Sequence, residues 1–174
     1  MTRSSTNPET RPNTDPIAFL QATPDNRRHW LHALGLGRYI PLLSHLANTP
    51  ANITGVARFL THPDRVKFPD LRSMDLSGLD LSSVNLIRAQ LHHASLKGAK
   101  LCDADLIFAN FSAADLTQAD LSGATLNQTI WNATIVEGCD LRGAKGLTAT
   151  LSHQLAEKGA IVDTAGSQSR TLKG

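Results

Sequence analysis

Little in this sequence points to chemistry. Aromatic residues make up 5% of its 174 residues, and there are two cysteines, Cys102 and Cys139. Two cysteines make no disulfide framework, so two free thiols in a reducing compartment are expected. No apolar run approaches the ~18 residues that a membrane span requires. The N-terminal stretch MTRSSTNPETRPNTDP lacks the apolar core of a secretory signal. The expectation is a cytoplasmic protein without a membrane span. No Walker loop, GxGxxG, CxxC or Ser-His-Asp order is present. The chain is therefore read as a non-enzyme, with no catalytic residue, cofactor or metal. A strong charge of one sign is missing too. The net charge of +2 is too weak to argue for a nucleic-acid partner by itself.

The charge that is present falls unevenly. Lys and Arg stand against Asp and Glu as 8 to 4 over residues 1–68, 6 to 9 over 69–145, and 3 to 2 over 146–174. The composition suggests a disordered leader over 1–14. Asp15-Pro16, Thr23-Pro24 and Thr49-Pro50 each pair a capping side chain with proline at the first helical position. Short helices are read near 16–22, 24–34, 38–47 and 50–61, making a helical N-terminal domain over 15–62. Trp30, Leu31, Leu34, Leu36, Tyr39, Ile40, Leu42, Leu43, Leu46, Val56, Phe59 and Leu60 can line its core. A linker follows at 63–68.

From residue 69 a period of five takes over. Leu71, Leu76, Leu81, Leu86, Leu91, Leu96, Leu101, Leu106, Phe111, Leu116, Leu121, Leu126, Trp131, Val136 and Leu141 are fifteen large apolar residues in one unbroken phase. Two residues before each sits a small or apolar residue, most often alanine. Neither a helix nor a strand has this period. Two sites two apart face the same way on extended chain. The step of three to the next small site faces inward only if the chain turns a corner in every pentad. Equal turns give a coil with apolar residues inside, whose stacked turns bond to one another. Gly78, Gly98, Gly123, Gly138 and Gly143 lie two residues past a centre, where a turn needs permissive backbone. The repeat stops at Gly146, so it spans 69–146. A capping helix near 148–157 is expected within a C-terminal cap over 147–163, ahead of a flexible tail over 164–174.

The segments LCDADL, AADLTQADL and LRGAKGL resemble the A-(D/N)-L-x-x pattern of pentapeptide-repeat proteins. The ending GLTATLSHQLAEKGAIVD is similar to that of many cyanobacterial members, and the chain resembles those with an N-terminal helical domain. The resemblance implies a mainly β fold: a right-handed quadrilateral β-helix with four pentads per coil, here nearly four coils. It also implies a protein partner, and a role as an interaction, assembly or regulatory scaffold. Two other roles come by analogy with the family. One is a DNA-mimicking gyrase binder, disfavoured by the short rod and its low negative charge. The other is a factor in photosynthetic-complex assembly or cell differentiation. The sequence names no particular partner, organism or oligomeric state.

Several side-chain groups bear on chemistry. His92-His93 is the pair most like a metal site, and is read as surface histidine for want of further ligands. Asp80, Asp120 and Asp140 share a column with Lys100, and are read as an outer row that shapes turns. DNRRHW, residues 25–30, sets basic residues beside an aromatic; Arg27 and Arg28 are read as a solvated face and Trp30 as core. Apolar residues at outward sites are the more informative feature. Ile87 and Ile107 follow their centres twenty residues apart, with Arg88 and Phe108 beside them. Ile130 and Ile135 occupy the slot usually held by Asp or Asn. These six are the candidate partner-binding residues, with Ile130 and Ile135 extending the patch at the next face's edge.

Overall fold

A computed structural model describes residues 14–63 and 66–163. The expected leader, save residue 14, two linker residues and the tail lie outside the described residues. The chain divides into two compact units, Met1–Lys67 and Phe68–Gly174.

The first unit is helical. Helices α1 (Pro16–Gln21), α2 (Pro24–Ala33), α3 (Ile40–Leu43) and α4 (Pro50–Thr61) appear in order, with a 3-10 turn at Gly37–Tyr39. The side chains of Asp15, Thr23 and Thr49 each accept a first-turn N–H, and proline follows each cap. The helix expected over 38–47 is instead this 3-10 turn and one turn of α3. Phe19 and Leu20, absent from the expected core, are buried with Leu31, Leu42, Val56 and Phe59. Trp30 is half-buried, its ring 6.3 Å from that of Phe19.

Arg27 corrects the sequence reading. It is 7% exposed, not part of a solvated face. Its guanidinium donates to the carbonyls of Ala22 (3.1 Å), Ser44 (3.2 Å), Leu46 (2.7 Å) and Leu20. A planar fork with five donors is the side chain that can reach four carbonyls at once. Arg28 does lie on the surface, paired with Asp25.

The second unit is a four-sided β-helix. Parallel bridges join residues twenty apart, from Asp70 with Gln90 to Thr125 with Lys145. Four pentads therefore make one coil. Face 1 is centred on Leu71, Leu91, Phe111 and Trp131; face 2 on Leu76, Leu96, Leu116 and Val136. Face 3 is centred on Leu81, Leu101, Leu121 and Leu141; face 4 on Leu86, Leu106 and Leu126. All fifteen centres are buried, as are the alanines two residues before them. The rings of Phe111 and Trp131 stack at 4.7 Å in the interior.

One pentad shows why this sequence closes into a coil. Ala109 N–H donates to Leu106 O (2.9 Å), closing the corner. Asn110 N–H reaches down to Ala89 O (3.0 Å), while Phe111 and Ala113 N–H reach up to Ile130 O (2.9 Å) and Asn132 O (2.8 Å). The remaining donor, Ser112 N–H, is taken by the Asn110 side chain at 2.9 Å. All five donors are satisfied, as buried or crowded backbone requires. The same side-chain bond recurs from Asp70, Asp75, Asp80, Asn85, Asp105, Asp115, Asp120 and Asp140. This is the physical meaning of the Asp/Asn slot. It is an Asx turn that caps the donor the ladder leaves over.

The residue two past each centre has a positive φ throughout the repeat, whether glycine or not. With the preceding φ not positive, each corner follows the type II pattern. Ten non-glycine residues accept this conformation, among them Arg88 (58°) and Phe108 (62°).

After Lys145 the chain leaves the ladder. Thr148 caps helix α5 (Ala149–Glu157), which buries Leu155. The chain then rejoins the ladder, and Ile161 bridges Asp140.

Candidate functional site

The corner between faces 4 and 1 is unlike the other three. Its left-handed positions hold Arg88, Phe108 and Gln128, and Phe68 stacks beneath Arg88. The Arg88 guanidinium carbon lies 5.3 Å from the Phe68 ring centroid and 5.1 Å from that of Phe108. An arginine thus sits between two aromatic rings, at a separation where the ring quadrupole attracts the cation. Phe68 is 48% exposed and Phe108 41%. Beside this column stand Ile87 and Ile107, both half-buried.

The backbone here is ordinary for the rod. Asn85 caps Ile87 N–H at 3.2 Å and Asp105 caps Ile107 N–H at 3.4 Å. Only the side chains differ. The equivalent left-handed sites elsewhere hold mostly glycine and small or polar residues, such as Gly78, Gly98, Ser83 and Ala113. A large side chain there costs about 1 kcal/mol relative to glycine. Other basic residues of the rod also behave differently. Arg72 and Arg142 fold onto Asp70 and Asp140, and Lys97 pairs with Asp115. Arg88 has no carboxylate partner among the described residues.

The structure brings four of the six candidate residues together: Ile87, Arg88, Ile107 and Phe108. Ile130 lies on face 1 in the fourth coil, 43% exposed, and Ile135 lies one corner further on, on face 2, 51% exposed. They bridge Asn110 and Asp115 respectively, so Ile135 does not join the patch. The sequence reading missed Phe68. Its signal was available: it precedes Arg88 by twenty residues, in the phase of the repeat extended one pentad back.

The other constellations stay dispersed. The His92 and His93 rings meet edge to face at 5.9 Å, and no group of three potential metal ligands exists among the described residues. Asp80, Asp120 and Asp140 are all held below the usual carboxylate range. The largest cause is the Ser82 hydroxyl for Asp80, the Ser122 hydroxyl for Asp120 and the Arg142 guanidinium for Asp140. A general acid at neutral pH needs the opposite shift. Both cysteines are free. The bond to Asp120 raises the Cys102 thiol, and burial pushes Cys139 up to about 12. Neither is a ready thiolate. No helix among the described residues is long and apolar enough to cross a membrane.

Comparison with known proteins agrees with this geometry. The family model for pentapeptide repeats (8 copies) matches residues 70–101, 94–130 and 119–152. Among solved structures, HetL is a pentapeptide repeat protein involved in heterocyst differentiation regulation in the cyanobacterium Nostoc sp. strain PCC 7120. It is 44% identical over 43% of this chain and 35% of its own, with a TM-score of 0.41. This chain thus spans about a third of that relative's length. A pentapeptide repeat protein of the Arabidopsis thaliana thylakoid lumen is 29% identical over 56% of this chain and 81% of its own, with a TM-score of 0.37. Another from Nostoc PCC 7120, alr5209, is 26% identical over 61% and 94%, with a TM-score of 0.31. No curated protein matches. With its four-pentad coils, its Asx-capped corners and this match across the ladder, the segment 70–152 of the chain is a pentapeptide-repeat domain.

Proposed function

We propose that this chain is a non-enzymatic protein-binding module whose docking surface is the corner formed by Phe68, Ile87, Arg88, Ile107 and Phe108. One observation supports the reading above the rest: the guanidinium of Arg88, held between two exposed phenylalanines and with no carboxylate partner among the described residues. Its stacked faces are occupied, which leaves its edge donors for a partner. A carboxylate there would bond as a fork, and the adjacent isoleucines would bury aliphatic side chains. Aromatic and arginine anchors of this kind dominate binding energy at protein interfaces. The partner's matching surface is therefore apolar with an acidic residue at its centre.

The test is affinity capture with the full chain and with an Arg88→Ala, Phe108→Ser double variant, alongside Ser77→Ala on another corner as a control. A protein held by the parent and the control but lost from the double variant is expected. Hydrogen exchange of the complex should then slow at residues 86–88 and 106–108. A partner retained equally by all three would overturn the reading.

A further inference from the structure

The ladder ends unevenly at the fourth coil. On face 3 its upward groups are used, since Leu141 N–H donates to Ile161 O (2.7 Å) and Ile161 N–H donates to Cys139 O (2.8 Å). At the end of face 2, Gly138 N–H donates to Gly159 O (2.9 Å). Val136 N–H and Thr134 O, also on face 2, have no hydrogen-bond partner among the described residues, and on face 1 none of the three such groups has one. One coil down, Phe111 N–H, Ala113 N–H and Ala109 O all bond to the coil above. Their equivalents in the fourth coil are Trp131 N–H, Ala133 N–H and Thr129 O. None of the three has a hydrogen-bond partner among the described residues.

A groove of about 380 Å³ lies along this edge. One wall is the ladder itself, with Ile130 exposed and Trp131 forming the floor. The other is α5, which contributes Leu151 and Leu155. Lys158 stands among the lining residues, with no ion pair among the described residues. Strand edge, apolar wall and cation thus converge on one concavity.

We propose that this groove is a binding site for an extended peptide segment of a partner protein, which adds to face 1 as a further parallel rung. The register follows from the coil below. The peptide residue over Ile130 would donate its N–H to Thr129 O and accept from Trp131 N–H. The residue two further along would accept from Ala133 N–H. The residue between them points inward, over Trp131 and against Leu151 and Leu155, so it is a large aliphatic. The residue before the one over Ile130 lies in the crowded slot that alanine most often fills along the rod. A carboxylate on the segment would meet Lys158. The recognised pattern is small, acidic, aliphatic, bound through its backbone by strand addition. The chain itself shows, on face 3, that the end of the ladder accepts a segment arriving from outside the run of repeats. Ile161 comes in after a helix and pairs on face 3, donating to Cys139 O and accepting from Leu141 N–H, as a further rung would. This site is separate from the Arg88 corner and stands without it.

The experiment uses the full chain and the capped synthetic peptide Ala-Ala-Asp-Leu-Thr-Gln, which copies residues 113–118. Amide exchange is read residue by residue. Saturable binding is expected, with exchange at Trp131 and Ala133 slowed about tenfold or more at saturation. The same peptide N-methylated at its aspartate has lost the donor to Thr129 O, and should bind about tenfold more weakly. This control leaves the protein untouched, so misfolding cannot imitate it. Leu151→Trp, which fills the groove, should abolish binding of the parent peptide. Absence of saturable binding at millimolar peptide would overturn the proposal, as would equal binding of the N-methyl peptide. Protection of Trp131 and Ala133 that rises with protein concentration in the absence of peptide would also overturn it, because a second copy would then be the occupant.

Discussion

At the scale of single residues, the corner positions separate two costs that are usually mixed. Gly98 has φ +60° and open space where a Cβ would go. Gly146 has φ +86°, and a Cβ there would come within 2.6 Å of the Asn127 backbone nitrogen. Gly98→Ala meets only the left-handed strain that Ser73, Ala113 and Ala133 already tolerate, and should cost about 1 kcal/mol. Gly146→Ala adds a collision with main chain that no rotamer can relieve, and should cost about 3 kcal/mol. Paired urea melts would check this ordering; equal losses would refute it. Phe108 and Arg88 incur the same left-handed strain with far larger side chains. Replacing either by glycine should remove that strain and raise stability by about 1 kcal/mol.

At the scale of elements, Arg27 ties three segments of the helical unit together through carbonyls at the end of α1, just after it, and beyond α3. Arg27→Ala would leave buried carbonyls without donors, and should lower stability by about 3 kcal/mol. Arg27→Lys should recover little of it, because an ammonium lacks the planar fork. Thermal melts of both variants followed by far-ultraviolet circular dichroism would measure this. The sequence made the helix starts legible, since a cap followed by proline is a local signal. It did not reveal Arg27, because whether an arginine on α2 faces solvent or a knot of carbonyls depends on segments seventeen to nineteen residues away. The coil was legible for the opposite reason. Its in-and-out pattern repeats fifteen times, and the pentads of the inner coils share one set of ladder bonds. The corner proposed for docking was legible in part. Ile87, Ile107 and Phe108 stood out as apolar in a polar slot, but Phe68 precedes the first leucine of the run and was passed over. The groove beneath α5 had no sequence signal, because it arises where the ladder stops and a helix begins.

At the scale of the whole molecule, the carboxylates of the outer rows link the rod to acidity. Asp80, Asp120 and Asp140 titrate lower in the folded chain than a free carboxylate. Their contribution is therefore complete above the unfolded value near about pH 4 and disappears as pH falls through the lowered folded value. Melting temperature should hold from pH 7 to 5 and fall steadily below about pH 4. Asp120→Asn keeps an oxygen for the Ser122 N–H, as Asn85 and Asn110 do for their own turns. It should flatten the acid limb while lowering stability only modestly at pH 7. A melting temperature unchanged down to pH 2 in the parent chain would contradict this account.

Closure of the coil at every twentieth residue has a consequence for how such a rod can change length over descent. A tandem duplication of twenty codons stacks one more turn and leaves each surface residue above its former neighbour. A duplication of five codons also keeps every leucine facing inward, yet it swings everything downstream through a quarter turn. The interior does not distinguish the two events. The outside does: a five-codon insertion between Arg88 and Phe108 would carry the phenylalanine to another side of the rod and strand the guanidinium with one ring. An aligned surface column is therefore a ledger of insertion lengths, kept on the exterior of a molecule whose core is indifferent to them.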